Sequence, residues 1–294
     1  MVFWGLQNDV LYSMGETNKL GFPISDPSFI PDDYLAEQKF VVFRTCHSLG
    51  DWGIISAMPR LLKQKYPNCK VYLPSSKLLR KIFGDGSTWG QWVDPYQNVK
   101  VVFKNNPYVD GYLDSIEGNV FHDHYRVYDE TNEEVPLIKQ MLKFWQFKEE
   151  EIIDYLPEMY FNEDEEAFGD AFIELKSQGT EFGSLLLTNT FKEADNELED
   201  KMLLKELKES GLEEYFYFGP PDHPLLKHIP NKVSFKDLKL PIRIQQYIRS
   251  KAELNIGYEA GLTTMLCRYS QIICTIKSER IKSNYFPNIK FLRY

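Results

Sequence analysis

The sequence predicts two α/β domains in succession, each built on a parallel, doubly wound sheet. Three observations carry this. Short β-branched and aromatic runs alternate with amphipathic stretches between Lys39 and Phe147. The same alternation restarts after the segment Leu156-Pro157-Glu158-Met159-Tyr160-Phe161, which reads as a linker. A chain of 294 residues also has room for two domains of ordinary size.

Residues 1–38 show no clean period and carry Pro23, Pro27 and Pro31, so they read as an irregular arm on the first domain. Lys39 to Arg44 is a short β-branched and aromatic run, the kind buried in parallel sheets. A tight loop to Asp51 leads into a helix over Trp52 to Tyr66. Its apolar positions Ile54, Ile55, Met58, Leu61, Leu62 and Tyr66 share one helical face. Pro59 lies inside this segment and predicts a kink or a restart. A strand over Lys70 to Leu73, a helix over Lys77 to Phe83 and a third strand over Val99 to Phe103 follow. A strand at Asn119 to His122 and a helix from Val135 to Phe147 complete a first domain of residues 1–155.

The second domain, residues 156–294, repeats the pattern. Helices are expected at Glu165 to Ser177, Glu197 to Ser210, Ile242 to Lys251 and Leu262 to Tyr269. Strands are expected at Ser184 to Thr188, Glu214 to Gly219, Glu253 to Ile256 and, last, Gln271 to Ile276.

Composition narrows the function. Hydrophobic residues make up 43% and charged residues 26%, an ordinary globular balance. The net charge is −9, with no basic stripe of the sort that grips a phosphate backbone, which disfavours nucleic acid as a partner. Cys46, Cys69, Cys267 and Cys274 lack Cys-x-x-Cys spacing, so neither a zinc set nor a disulfide framework is expected and a reduced, cytoplasmic setting is. Residues 1–15 lack the features of a signal peptide, and no apolar run approaches the ~18 residues of a membrane span. Peripheral membrane contact stays open. Gly-x-x-x-x-Gly-Lys, Gly-x-Ser-x-Gly and Gly-x-Gly-x-x-Gly are all missing.

Two constellations carry chemistry. The first runs from Arg44-Thr-Cys-His-Ser-Leu-Gly-Asp51 into Pro59-Arg-Leu-Leu-Lys-Gln-Lys-Tyr-Pro67. It puts the Asp51 carboxylate at the carboxyl end of the first parallel strand, where open α/β sheets bind ligands. Asp51 could equally be no more than a helix cap. The second is Ala252-Glu-Leu-Asn-Ile-Gly-Tyr-Glu-Ala-Gly-Leu-Thr-Thr-Met265, a strand, a glycine turn and a helix start. Gly261 would let a ligand approach the backbone, and the amides of Leu262, Thr263 and Thr264 would offer an anion site.

Leu49, Gly50, Asp51, Pro59, Leu62, Lys63 and Pro67 match, in order and approximate spacing, the N-terminal signature of the heptosyltransferase-like glycosyltransferases of family 9. The second constellation resembles that family's C-terminal signature, with Glu259 in place of an Asp, Ala260 of a hydroxyl residue and Thr264 of a His. The resemblance spans about residues 39 to 280. It implies a GT-B fold: two Rossmann-like domains with parallel sheets facing a central crevice, an N-terminal acceptor domain and a C-terminal donor domain. It further implies inverting transfer from a nucleotide-sugar to a hydroxyl of a glycan or glycolipid, without a metal or other cofactor. Asp51 would be the base, with His47 a second candidate on the acceptor loop. Lys192, in Leu187-Thr-Asn-Thr-Phe-Lys192, and the Gly261 to Thr264 turn would hold the diphosphate, and Glu259 would meet sugar or ribose hydroxyls. Gly219, in Tyr217-Phe-Gly-Pro-Pro-Asp222, would line the nucleotide pocket. Asn106 to Asp110 matches a structural turn of the family. The altered second signature also fits an inactive nucleotide- or glycan-binding protein of the same fold. Transfer to modified DNA bases is a further alternative.

His122-Asp123-His124 suggests a metal pair, but no third ligand stands at a recognisable spacing. Both histidines read instead as acceptor-side candidates.

Overall fold

The computed structural model describes residues 3–4, 11–12, 39–42, 48–83, 95–115, 120–122, 135–177, 180–187, 196–229, 232–235, 240–277 and 286–294. The chain forms two compact units, one of Met1–Met159 and Lys282–Tyr285, the other of Tyr160–Ile281 and Phe286–Tyr294.

The first unit holds a four-stranded, fully parallel sheet of β3 (Lys39–Val41), β4 (Lys70–Pro74), β5 (Gly111–Leu113) and β6 (Val120–His122). Its order is β5-β4-β3-β6. A separate antiparallel pair joins β1 (Phe3–Trp4) to β2 (Leu11–Tyr12). Phe40 is fully buried in β3, with Tyr66 stacked 5.5 Å away and Trp145 edge-on at 4.9 Å. Burying one such ring contributes ~1.5–3 kcal/mol, which makes this trio a local anchor. The Tyr66 hydroxyl donates to the Trp145 carbonyl at 2.9 Å, so the ring's polar end is satisfied as well.

The helix expected at Trp52 to Tyr66 is two: α1 (Leu49–Gly53) and α2 (Met58–Lys65). Pro59 falls in the first turn of α2, where its missing N–H costs nothing, so the chain restarts there rather than kinking. After α3 (Ser76–Phe83) comes a correction. Val99 to Phe103 is no strand but the body of α4 (Asn98–Phe103). Val99, Val102 and Phe103 are buried at three-and-four spacing while Lys100 is exposed. A strand would have put Val102 beside Lys100 on the outer face. Trp52 of α1 packs edge-on against Phe103 at 6.3 Å, so packing overrides β-branched propensity. The third strand is β5, after the Asn106–Asp110 turn. Asp110 there accepts from the Val71 amide at 2.8 Å and pairs with Lys63 at 2.6 Å, a structural role. Helix α5 (Leu137–Phe144) closes the unit.

The second unit begins with α6 (Glu163–Ser177) and carries a six-stranded parallel sheet. Its strands are β7 (Gly183–Leu186), β8 (Glu214–Phe218), β9 (Lys232–Phe235), β10 (Leu254–Tyr258), β11 (Gln271–Ile276) and β12 (Ile289–Arg293). The order β9-β8-β7-β10-β11-β12 is doubly wound. Every residue of β7, β8 and β10 is buried. Alternate side chains feed two cores. Leu185, Tyr215, Tyr217, Ile256 and Tyr258 pack with Leu203 and Leu207 of α7 (Asn196–Glu209). Leu186, Phe216 and Phe218 pack with Ile244 and Ile248 of α8 (Ile242–Ser250). Where β10 meets β7, a Cβ on Gly257 would collide with the Leu186 carbonyl oxygen, so that position has no room for a side chain. Strands β9 and β12 were not foreseen, and β12 rather than β11 comes last.

In each sheet one strand has its successors divided between its two sides. β3 lies between β4 and β6, and β7 lies between β8 and β10. Loops leaving such a pair at their carboxyl ends diverge and leave a ligand crevice. The loops that follow β3 and β10 are the two constellations singled out above.

Candidate functional site

The first constellation opens α1. Ser48 is the N-cap: the Asp51 amide donates to Ser48 Oγ at 3.2 Å, and the Ser48 hydroxyl donates back to the Asp51 carboxylate. The cap is thus Ser48, and Asp51 is the third helical residue, oriented by it. Asp51 is half-buried, whereas Trp52 and Gly53 behind it are buried. The register pairs Val41, the last residue of β3, with His122, the last of β6, so His122 lies at the same switch point. His47 and His124 lie outside the described residues.

The second constellation leaves β10. The Glu259 amide donates to the Thr275 carbonyl at 3.1 Å, prolonging the sheet by one bond. Ala260 is extended (φ −153°, ψ 151°) and caps the four-residue helix α9 (Gly261–Thr264). Its carbonyl accepts from the Thr263 amide at 2.9 Å and the Thr264 amide at 3.1 Å. Two of the three amides expected to face an anion are therefore used inside the turn. Among the described residues, no acceptor meets the amides of Gly261 and Leu262. Glu259, Gly261 and Leu262 are half-buried.

The threonine hydroxyls also turn inward. Thr263 and Thr264 are fully buried. Thr264 donates to the Gly261 carbonyl at 3.2 Å, and Thr263 Oγ1 accepts from Arg249 Nη2 at 3.4 Å. Arg249, on α8, also donates from Nη1 to the Leu262 carbonyl at 3.0 Å and to Gln246 Oε1 at 2.9 Å, and from Nε to Ser184 Oγ at 3.0 Å. Burial pushes its pKa down to about 9, which leaves it charged at neutral pH. Sequence reasoning missed Arg249. The available signal was the spacing of Arg243, Gln246 and Arg249, a polar stripe beside the apolar face of Ile244 and Ile248.

A third group lies on the α7 side of the sheet. Gly219 follows β8, and a Cβ there would strike the Tyr217 hydroxyl, which donates to the Pro220 carbonyl at 2.7 Å. The Tyr258 hydroxyl donates to Asp200 at 2.5 Å and lies 3.0 Å from His223 Nε2. His223 Nδ1 accepts from the Leu225 amide at 3.3 Å, so the neutral ring carries its proton on Nε2 and gives it to Tyr258. Burial lowers the His223 pKa, opposed by Asp200 and Asp222. Burial, then the bond to Asp200, raises that of Tyr258. Lys192 lies outside the described residues. Among the described residues no three His, Cys, Asp or Glu side chains are grouped to hold a metal.

No protein-family model matches the chain, and no curated protein is detectably similar to it in sequence. The fold is the heptosyltransferase-like one of family 9 glycosyltransferases, an α/β GT-B fold with parallel sheets. The family 9 glycosyl transferase from Veillonella parvula is 11% identical with a TM-score of 0.59, covering 88% of this chain and 86% of its own. E. coli ADP-heptose LPS heptosyltransferase II is 14% identical with a TM-score of 0.50, covering 87% of this chain and 90% of its own. No described helix is long and apolar enough to cross a membrane.

Proposed function

We propose that this protein is an inverting glycosyltransferase that moves a sugar from a nucleotide-sugar to a hydroxyl of a glycan or glycolipid. The observation that carries the reading is a family 9 fold over 88% of the chain. Residues 1–155 take the acceptor and residues 156–294 the donor. Asp51 accepts the proton of the acceptor hydroxyl as its oxygen bonds to the anomeric carbon. The bond from that carbon to the diphosphate breaks, and the diphosphate leaves with the electron pair. The Gly261 and Leu262 amides and Lys192 meet the charge that develops there, in a turn that Thr263 and Thr264 hold from inside. Glu259 accepts from sugar or ribose hydroxyls, Gly219 keeps the nucleotide side open, and His47, His122 and His124 face the acceptor. The reaction runs in the cytoplasm and without a metal ion, so turnover persists in EDTA.

A thermal-shift screen of ADP-, GDP- and UDP-sugars tests this, with ADP-sugars first because one fold neighbour is named for ADP-heptose. A donor at 100 times its Kd should add about 2.7 kcal/mol of stability. Slow release of nucleoside diphosphate without acceptor should follow. If none of the three classes stabilises the protein, the reading fails. Stabilisation without diphosphate release or transfer would mark a binding protein of the same fold, which the replacements at Glu259, Ala260 and Thr264 favour.

A further inference from the structure

Among the described residues three arginines are at least nine-tenths buried, and they differ in their partners. Arg60 and Arg243 are 8% and 7% exposed, and Arg249 is 1%. Arg60 pairs with Glu158 at 2.8 Å, and Arg243 grips both oxygens of Glu165 at 2.7 and 2.8 Å. Arg249 has no carboxylate partner among the described residues. Its acceptors are one serine hydroxyl, one amide oxygen, one threonine hydroxyl and one backbone carbonyl, all neutral. Withdrawing a cation from water without a counter-charge is costly, and the cost is tolerated where something else repays it.

The path of its hydrogen bonds shows where the charge is felt. Arg249 Nη1 donates to the Leu262 carbonyl. That carbonyl shares a peptide unit with the Thr263 N–H, which donates to the Ala260 carbonyl. The Ala260 carbonyl in turn shares a peptide unit with the Gly261 N–H, which no described residue accepts. Two peptide dipoles thus run head to tail from the guanidinium to the Gly261 amide. Each bond polarises the next, and more strongly in a dry interior. The result is a backbone donor with a positive charge behind it, on a residue that is half-buried.

We propose that Arg249 is a positioning residue whose charge, relayed through these two peptide units, sets the affinity of the Gly261 amide for the anionic diphosphate of the donor. This rests on the donor reading above. It goes beyond it in making the selectivity for phosphate over nucleoside depend on a residue that no ligand touches.

Calorimetry with ADP, GDP and UDP, each beside its own nucleoside, tests the point in wild type, Arg249→Met and Arg249→Lys. In Arg249→Met the diphosphate should bind about tenfold more weakly, the gap between a charge-assisted and a neutral hydrogen bond. The nucleoside should stay within about twofold of wild type on the same scale. Arg249→Lys keeps the charge without the fork and should retain most of the diphosphate preference. A melting curve of ligand-free Arg249→Met controls for the fold, since the change leaves the acceptors of Arg249 without that donor. Equal losses for nucleoside and diphosphate, or none for either, would overturn the inference and leave the donor reading intact. If Arg249→Met does not fold, Arg249→Lys decides: loss of the diphosphate preference in that folded variant overturns the proposal. Wild type that binds none of the three diphosphates overturns both.

Discussion

The turns that leave β3 and β10 both lie at the switch points of their sheets, one on the strand whose successors divide and the other on its neighbour across the switch, and they carry opposite electrostatics. After β3 the chain presents a carboxylate, Asp51, which accepts from the neutral hydroxyl of Ser48. After β10 it presents backbone amides, with a cation, Arg249, beneath them. Both helices that follow are short, five residues in α1 and four in α9, so neither macrodipole dominates its turn. What differs is the side chain that each core places beside the turn. Under the function proposed above, the difference teaches that one architecture would supply a proton acceptor and an anion receptor by exchanging a single charged group per sheet.

The strongest way to break this comparison is Asp51→Asn. The amide keeps the shape and can still bond to Ser48, but it accepts no proton. Turnover should fall by about 10² to 10⁴ while donor affinity measured by calorimetry stays the same. A melting curve controls for the fold, since a weakened cap costs about 1 kcal/mol. Folded Asp51→Asn with near-normal turnover would end the assignment of the base and make His47 the next candidate.

Gly261→Val attacks the other turn. A branched side chain beside the amide blocks an approaching phosphate, so the donor should bind about tenfold or more weakly. At saturating donor, turnover should fall far less. A lower rate at saturation with unchanged affinity would mean that the second turn does not hold the donor, and the contrast between the turns would collapse.

Much of this could be read from the sequence because parallel strands are written locally. Leu185-Leu186-Leu187 and Tyr215-Phe216-Tyr217-Phe218 are continuous apolar runs, as strands covered on both faces must be. Val99 to Phe103 misled because V-K-V-V-F satisfies a strand's composition and a helix's spacing at once, and only Trp52, 47 positions earlier, decides between them. Strand β12 went unseen because Ile289 to Arg293 mixes exposed and half-buried positions at a sheet edge. In the site, Asp51 and Gly261 stood out through ordered motifs. Arg249 did not, because its partners, Ser184, Gln246, Leu262 and Thr263, come from three parts of the chain, and no spacing encodes a contact that folding creates. Ser48 went unremarked for the opposite reason: its motif with Asp51 is so short that the carboxylate drew the attention.

The smallest expected effect sharpens the comparison by pH. The cap at Ser48 does not titrate in the neutral range, whereas the loop packed on the last residue of β10 is capped by His223. Its Nδ1 accepts from the Leu225 amide and therefore cannot take a proton without losing that bond. Burial lowers its pKa below the ordinary 6.5, although Asp200 and Asp222 resist the shift. A histidine whose folded pKa is depressed binds protons more readily unfolded. The stability it contributes is therefore complete above pH 6.5 and lost as pH falls through the folded value. Melting of wild type and His223→Asn between pH 8 and pH 5 isolates this one group, because Asn can cap the same amide without titrating. The two curves should run parallel above about pH 6.5, the ordinary histidine value, with wild type losing ground below it. Donor affinity should weaken over the same range in wild type, since Tyr258 leads directly into Glu259 and the turn proposed to hold the donor. Parallel curves throughout would show that His223 has the same pKa folded and unfolded, its two aspartates offsetting its burial.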